Sequence, residues 1–344
     1  MNVAVVGAAG YAGAEAMRWV LGHPRLALAM ATSAADAGAR VESLYPQLGE
    51  TGLVFESPDA DAIGAVAEIA ILAVPHTASL GLTPRLIEAG VTVIDLSADF
   101  RLSDPSVYSE WYGVEHGATE LLARSVFGLP ELDRSQLRGA SLVACAGCYP
   151  TATTLAALPA LKAGLSTGSR AIVDAKSGVS GAGRSPSATV HYVAATESVS
   201  PYKVGAHRHT PEMEQALSLA AGRDVSVMFT PHLVPMARGL LSTVYLDAPA
   251  SLTTEDAVQA YREFYAGEPF VNVHDAGVMP STAEVRGTSR AAVGVHVDSK
   301  SGTLVAACAI DNLGKGAASQ GIQCLNAVLG FPETEGLDPI GPVV

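Results

Sequence analysis

A two-domain α/β chain is the fold class predicted here: a helix-covered parallel sheet, then an α+β domain built on a mixed or antiparallel sheet. Three observations predict it. Short apolar, β-branched runs alternate with helical segments through the first third. From about Cys148 the apolar runs lengthen, many are two-sided, and turns separate them. With 344 residues, 49% of them apolar, there is enough material for two cores.

The elements follow in order. Residues 3–6 form a short strand, 14–21 a helix and 26–31 a second strand. Residues 69–74 and 91–96 are two more strands, joined by a crossover helix over 83–89, and such crossovers give parallel pairing. An apolar strand-like run ends just before Cys148, and 151–161 reads as a helix that Thr151 can cap. Strands over 171–175, 225–229, 240–246, 292–297 and 303–310 follow, with helices over 211–220 and 254–265. A final helix, 316–329, carries small residues along one side and is expected to pack back on the first domain. There is no internal repeat and no low-complexity linker. The boundary near Gly147 is therefore expected to be a close junction, which suits a site made between domains. The domains expected are 1–147 with 315–344, and 148–314.

Charge and composition exclude several classes. With 21 Lys and Arg against 34 Asp and Glu, the net charge of −13 argues against nucleic acid or an anionic membrane as partner. No stretch approaches the about 18 uninterrupted apolar residues of a membrane span. The first residues run straight into a strand without a basic, cleavable leader. Four cysteines in so long a chain make no disulfide framework, and a reducing cytoplasm is the expected compartment. An anionic substrate would need local Arg, Lys, His or backbone N–H groups, against the overall field.

Gly7-Ala8-Ala9-Gly10-Tyr11-Ala12-Gly13 follows the first strand and opens the first helix. Glycines permit a tight turn and close approach of backbone to a pyrophosphate, whose charge the helix N-terminus receives. The spacing is G-x-x-G-x-x-G rather than the commoner G-x-G-x-x-G, yet its place makes the first domain Rossmann-type, with Gly7, Gly10, Tyr11 and Gly13 as cofactor contacts. The second strand ends at Thr32-Ser33, with Arg40 beyond. Hydroxyls and a cation suit a 2′-phosphate and favour NADP, while Asp36 keeps the NAD reading open.

Cys148 stands just before a helix start, where the dipole favours thiolate. A thiolate beside a nicotinamide implies attack on an activated acyl group, then hydride transfer to the thioester. The proton partner is sought in Gly205-Ala206-His207-Arg208-His209-Thr210-Pro211-Glu212, where Thr210 is a natural cap and Pro211 a natural first helical residue. Alternate residues of an extended segment point opposite ways, so His207 and His209 are expected to do different jobs. No third ligand at metal spacing accompanies them, and no metal is expected.

Two loops look built for anions. Ser177-Gly178-Val179-Ser180-Gly181-Ala182-Gly183-Arg184 offers N–H groups, hydroxyls and a guanidinium, the ingredients of an anion nest. Arg101, after a parallel strand, is a candidate phosphate contact, or else the partner of Asp99 or Asp104. Asn312, before the last helix, can bond a nicotinamide carboxamide or simply shape a helix-entry turn.

Along its whole length the chain resembles the N-acetyl-gamma-glutamyl-phosphate reductase family, relatives of aspartate-semialdehyde dehydrogenase. The resemblance rests on the glycine turn, Ser97-Ala98-Asp99-Phe100-Arg101-Leu102, Trp111-Tyr112-Gly113, Phe127-Gly128-Leu129-Pro130-Glu131-Leu132, Gly147-Cys148-Tyr149-Pro150-Thr151, Ser180-Gly181-Ala182-Gly183-Arg184, His207-Arg208-His209-Thr210-Pro211-Glu212 and Asp311-Asn312-Leu313. It implies NADPH-dependent reduction of an acyl phosphate, N-acetyl-glutamyl 5-phosphate, to the semialdehyde in arginine biosynthesis. Cys148 matches the nucleophile, and His209, with His207 second, the acid/base. Ser180, Gly181 and Asn312 are assigned to the cofactor, and Arg101, Ser177, Arg184, Arg208 and Glu212 to the substrate. Family members are typically dimers or tetramers, so a homo-oligomer is implied.

One departure stands out. The family usually carries Asn-Pro before Gly-Cys, where this chain has Cys145-Ala146. Losing the proline removes a φ constraint and creates a C-x-x-C spacing. Cys145 is then either a buried small residue or a thiol that oxidation joins to Cys148. Rival readings are a paralogue acting on an aminoadipate-type or carrier-bound acyl phosphate, a thiol redox module, and an NADP-binding regulator. The redox module leaves the glycine turn, histidines and anion loops without a job; the regulator leaves Cys148 and His209 so.

Overall fold

The structure is a computed structural model, describing residues 1–337 and Gly341. The chain divides into two compact units: Met1–Gly147 with residues 317–337, and Cys148–Gly316 with Gly341, so the stretch 315–344 expected in the first domain is divided between the two.

The first unit is a seven-stranded sheet, parallel throughout. β1 (Asn2–Val6) enters α1 (Tyr11–Gly22), then β2 (Ala27–Thr32), α2 (Val41–Leu44) and β3 (Phe55–Glu56). α3 (Ala60–Val66), β4 (Ile69–Leu72), α4 (Ala78–Glu88) and β5 (Thr92–Asp95) continue the alternation. α5 (Pro105–Tyr112), α6 (Thr119–Leu122), β6 (Val126–Gly128) and β7 (Leu142–Cys145) complete the linear part. Strand order is β3-β2-β1-β4-β5-β7-β6, so the direction of winding reverses between β1 and β4. Ligands of open parallel sheets bind beyond the strand ends at that switch point. A core of residues such as Val6, Ile63, Leu72 and Leu86 fills the space between sheet and helices.

The second unit opens with α7 (Cys148–Lys162), followed by β8 (Arg170–Gly178), α8 (Tyr192–Ala195), β9 (Ser200–Pro201) and α9 (Thr210–Ala221). β10 (Ser226–Val234), β11 (Leu240–Asp247), α10 (Thr254–Phe264), β12 (Val271–Val273), β13 (Ala291–Asp298) and β14 (Thr303–Ile310) follow. The sheet is mixed, in the order β12-β13-β14-β11-β8-β10-β9. β8 and β10 pair in parallel, while β11 pairs antiparallel with β8 and β14. One sheet face lies under the helices; the other exposes Ile172, Met228 and Tyr245.

α7 is buried almost all round. Pro159 lies inside it and has no N–H to give the carbonyl four residues back. That carbonyl, of Leu155, instead accepts the Tyr265 phenol at 2.6 Å, and Tyr261 serves Ala156 at 2.7 Å. α11 (Ser319–Leu329) belongs to the first unit, packing on α1 and on β5, β6 and β7. A π turn over Gly314–Ala318 leads into it, where the sequence pattern predicts regular helix from residue 316. Among the described residues no helix is long and apolar enough to cross a membrane.

Candidate active site

The glycine turn is a cradle that side chains would fill. A Cβ on Gly7, at φ +80°, would collide with the Ala73 carbonyl; one on Gly13 would collide with the Gly7 carbonyl and lie 2.7 Å from Ala8 Cα. Gly10 caps α1 with no side-chain bond, and no acidic residue occupies the first turn. Exposed Tyr11 begins the helix. The positive helix end is thus presented as bare backbone, which fits a dinucleotide pyrophosphate.

Beyond β2, Ser33 and Arg40, two of the groups expected at a 2′-phosphate, are already engaged. The Ser33 hydroxyl donates to the Asp36 carboxylate at 2.8 Å, and the Asp36 N–H returns to Ser33 Oγ at 3.2 Å. The exposed Arg40 guanidinium pairs with Glu42, whose carboxyl is held low by its own backbone N–H and by Arg40. Thr32 is fully buried. To hold a 2′-phosphate, Arg40 would exchange Glu42 for it.

After β5, the buried Arg101 donates from Nη2 to the Leu96 carbonyl at 2.7 Å. Asp95 receives the Ser97 N–H at 2.7 Å and the Ser79 hydroxyl at 2.8 Å. Burial nevertheless pushes its carboxyl up to about 6, those bonds opposing and the Asp99 charge adding.

In the second unit Cys148 is itself the first residue of α7. The predicted cap at Thr151 is wrong by a turn, because Pro150 needs no N–H partner in a first turn and so lets the helix begin earlier. Thr151 is buried inside the helix. Cys148 is half-buried, and Gly316 lies against it: a Cβ there would stand 2.8 Å from Cys148 Cβ. Tyr149 next to it is the hub of the histidine segment. Its ring lies 5.5 Å from His207, 6.0 Å from His209 and 5.1 Å from Phe229.

The opposite-facing arrangement expected of His207 and His209 is corrected: the segment is turned rather than extended, both rings pack on Tyr149, and their centroids lie 4.9 Å apart. The His209 backbone N–H donates to His207 Nδ1 at 3.1 Å, so the neutral His207 ring carries its proton on Nε2. Burial, with Lys203 and Arg208 nearby, lowers His207 to about 4. His209, not Thr210, holds the cap position of α9, with Thr210 and Pro211 already helical. Pro at the second helical position explains the shift, since it too lacks an orphan donor.

Tyr202 Oη donates to Tyr149 Oη at 3.1 Å, which in turn donates to the His232 carbonyl at 3.2 Å. Burial raises both phenols, Tyr202 to about 12, and the nearby Cys148 charge adds to the effect. Ser177 is also in hydrogen-bond reach of the Tyr149 phenol.

The loop after β8 does not offer the free N–H groups expected of it. Those of Gly178, Val179 and Ser180 donate to the carbonyls of Gly239, Met236 and Ala237. The strand ends at Gly178, and the tight turn over Val179–Ala182 is tied instead to the loop between β10 and β11. Asn312 is similarly committed: Oδ1 accepts the Gly239 N–H at 2.8 Å and Nδ2 donates to Ser180 Oγ at 2.9 Å. Gly181 sits between, its ideal Cβ 3.0 Å from Ser177 Oγ and 3.6 Å from Asn312 Nδ2. Ser177, Ser180, Gly181 and Asn312 are therefore one cluster. Glu212 is buried in the first turn of α9, Arg208 is half-buried and Arg184 is exposed.

Sequence reasoning missed the anchor beneath this cluster. Asp311, fully buried, takes Arg238 through Nε at 2.9 Å and Nη2 at 3.0 Å, and the N–H groups of Gly287, Leu313 and Gly314. It also missed Tyr149, Tyr202 and Gly316. Only Tyr149, adjacent to Cys148, carried a local signal.

Against known proteins, two family models match. "Semialdehyde dehydrogenase, NAD binding domain" covers residues 2–140, and "Semialdehyde dehydrogenase, dimerisation domain" covers 148–312. An N-acetyl-gamma-glutamyl-phosphate reductase of Moorella thermoacetica is 45% identical over 99% of both chains. One of Symbiobacterium thermophilum is 46% identical over 100% of this chain and 99% of its own. The chain belongs to the N-acetyl-gamma-glutamyl-phosphate reductase family. It is a nicotinamide-dinucleotide-dependent oxidoreductase by that membership. Aspartate semialdehyde dehydrogenase II of Vibrio cholerae shares the fold, with a TM-score of 0.71 at 19% identity over 94% of this chain and 97% of that one. So does an aspartate semialdehyde dehydrogenase with NADP from Candida albicans, with a TM-score of 0.71 at 14% identity over 94% and 98%.

Proposed function

We propose that this chain reduces N-acetyl-L-glutamyl 5-phosphate to N-acetyl-L-glutamate 5-semialdehyde, releasing phosphate and serving arginine biosynthesis. The observation that carries the reading is Cys148 at the first position of a long buried helix, followed by a phenol, Tyr149, on which two histidines pack. The 45% identical relative named for this activity supports it.

The Cys148 sulfur attacks the acyl carbon, the carbon–oxygen bond to phosphate breaks, and phosphate departs with its electron pair. NADPH, when bound, supplies the hydride that this thioester carbon needs. The carbon–sulfur bond then breaks, aldehyde forms and the thiolate returns to the α7 N-terminus, which favours it. His209 takes the thiol proton at the outset. His207 is unsuited to that task, since its acceptor nitrogen holds a backbone N–H and burial disfavours its protonated form; it orients His209. Arg101, Arg184, Arg208, Ser177 and Glu212 are assigned to substrate.

Gly7, Gly10, Tyr11 and Gly13 would hold the pyrophosphate. Thr32, Ser33 and Arg40 would take the 2′-phosphate of NADP; Ser180, Gly181 and Asn312 would meet the nicotinamide side. The family neighbour solved with NADP supports this choice. The second unit's matched description supports a homo-oligomer, and a reducing cytoplasm would keep Cys148 a thiol.

The test is the reverse reaction. Purified protein should reduce NADP⁺ with N-acetylglutamate semialdehyde only when phosphate or arsenate is present. Turnover without either anion removes the acyl-phosphate step.

A further inference from the structure

The first unit holds a buried constellation that the chemistry above does not use. Thr77 has φ +72°, one of three non-glycine residues with positive φ among those described. β-Branched residues rarely accept that conformation, so something must hold it. Its own side chain makes no capping bond, although α4 begins at the next residue. The cap comes instead from Asp99, fully buried and 22 residues onward. Its carboxylate receives the Thr77 N–H at 2.8 Å and the Ser79 N–H at 3.2 Å. The Tyr108 phenol donates to the same carboxylate at 2.9 Å, and His116 Nε2 bonds the Asp99 carbonyl at 2.7 Å.

The segment so pinned lies beside the glycine cradle. Residues 75–78 are exposed, and the two residues leading into them flank Gly7: an ideal Cβ there would meet the Ala73 carbonyl and stand 3.3 Å from Val74 N. β4, which delivers this segment, is β1's neighbour at the switch point of the sheet. His76 rests on Tyr112, which stacks on Tyr108 with ring centroids 4.6 Å apart, so α5 buttresses both the segment and its anchor.

We propose that Asp99 is a positioning residue for the dinucleotide: it fixes Thr77 in the left-handed conformation, and with it the turn over residues 75–78 beside the Gly7–Gly13 cradle, so that the turn need not be ordered when the cofactor binds. This rests on the reading that the first unit binds NADP(H). A preformed turn spares the complex its ordering cost. Asn at position 99 keeps the shape but loses the charge, and turns an N–H toward donors that need an acceptor.

The test is NADPH titration followed by cofactor fluorescence, with amide exchange at Thr77 and Ser79 measured on cofactor-free protein. Asp99→Asn should raise the Kd about tenfold and speed exchange at both amides. Adding Thr77→Gly should return the Kd to within about threefold of wild type, because glycine takes positive φ freely. In steady state, the KM for NADPH should rise while that for the acyl phosphate holds. Wild-type affinity in Asp99→Asn, unchanged exchange, or no rescue by Thr77→Gly overturns the proposal. If Asp99→Asn does not fold, Tyr108→Phe, which loosens the same carboxylate, should raise the Kd about threefold, and an unchanged Kd overturns the proposal equally. Wild-type protein that binds no NADPH overturns the dinucleotide reading itself, and this proposal with it.

Discussion

At the scale of single residues, burial decides which groups titrate. His207, lowered to about 4 chiefly by burial, stays neutral when folded but takes a proton near 6.5 when unfolded. Between those values the unfolded chain binds more protons, so this residue's contribution to stability is complete above pH 6.5 and falls away as pH drops toward 4. Thermal melts of His207→Gln between pH 4 and 7 should lose that part of the slope, at most about 3 kcal/mol across the window. An unchanged slope would show that His207 is already solvated. Cys148→Ala should cost at least about 10³-fold in turnover, read at saturating substrate. Cys145 is fully buried, with its sulfur 4.0 Å from the ideal Cβ of Gly321 in α11. Peroxide inactivation and its reversal by dithiothreitol should therefore be the same in Cys145→Ala as in wild type; a difference would revive the pairing with Cys148.

At the scale of elements, the repair of α7 around Pro159 is testable. Tyr265→Phe strands the Leu155 carbonyl and should cost about 1–3 kcal/mol in denaturant melts. In a Pro159→Ala background the helix regains its own donor, and the same change should cost measurably less. Gly316→Ala should displace Cys148 and lower turnover about tenfold or more, with NADPH affinity unchanged. Element existence was legible because period and turn residues are local: residues 303–310 were read as the strand that β14 is. Helix starts were not, since a first-turn proline removes a donor that no one needs: Cys148 is helical ahead of the expected cap Thr151, and Thr210, expected as a cap, is itself helical. β3 and β9, two residues each, are too short to show any alternation.

At the scale of the whole molecule, the exposed sheet face of the second unit carries Ile172 at 40%, Met228 at 47% and Tyr245 at 37% exposure. Contiguous apolar surface of this kind marks an association face. Light scattering of Met228→Asp should show smaller particles than wild type at equal concentration; an unchanged mass places the contact elsewhere. The candidate site residues were legible as motifs, but their partners were not. Asp311 reaches Arg238 across 73 positions and Asp99 reaches Thr77 across 22, and no local pattern announces such pairings. The return of α11 to the first unit has a consequence for birth of the chain. A ribosome releases residues in order, so the first unit waits, with Ile94 and Leu96 unroofed near Gly321, until the last strip of polypeptide emerges. Within the second unit the stretch Cys148–Gly316 is continuous, so the helices and sheet around Cys148 can form before α11 roofs the first unit.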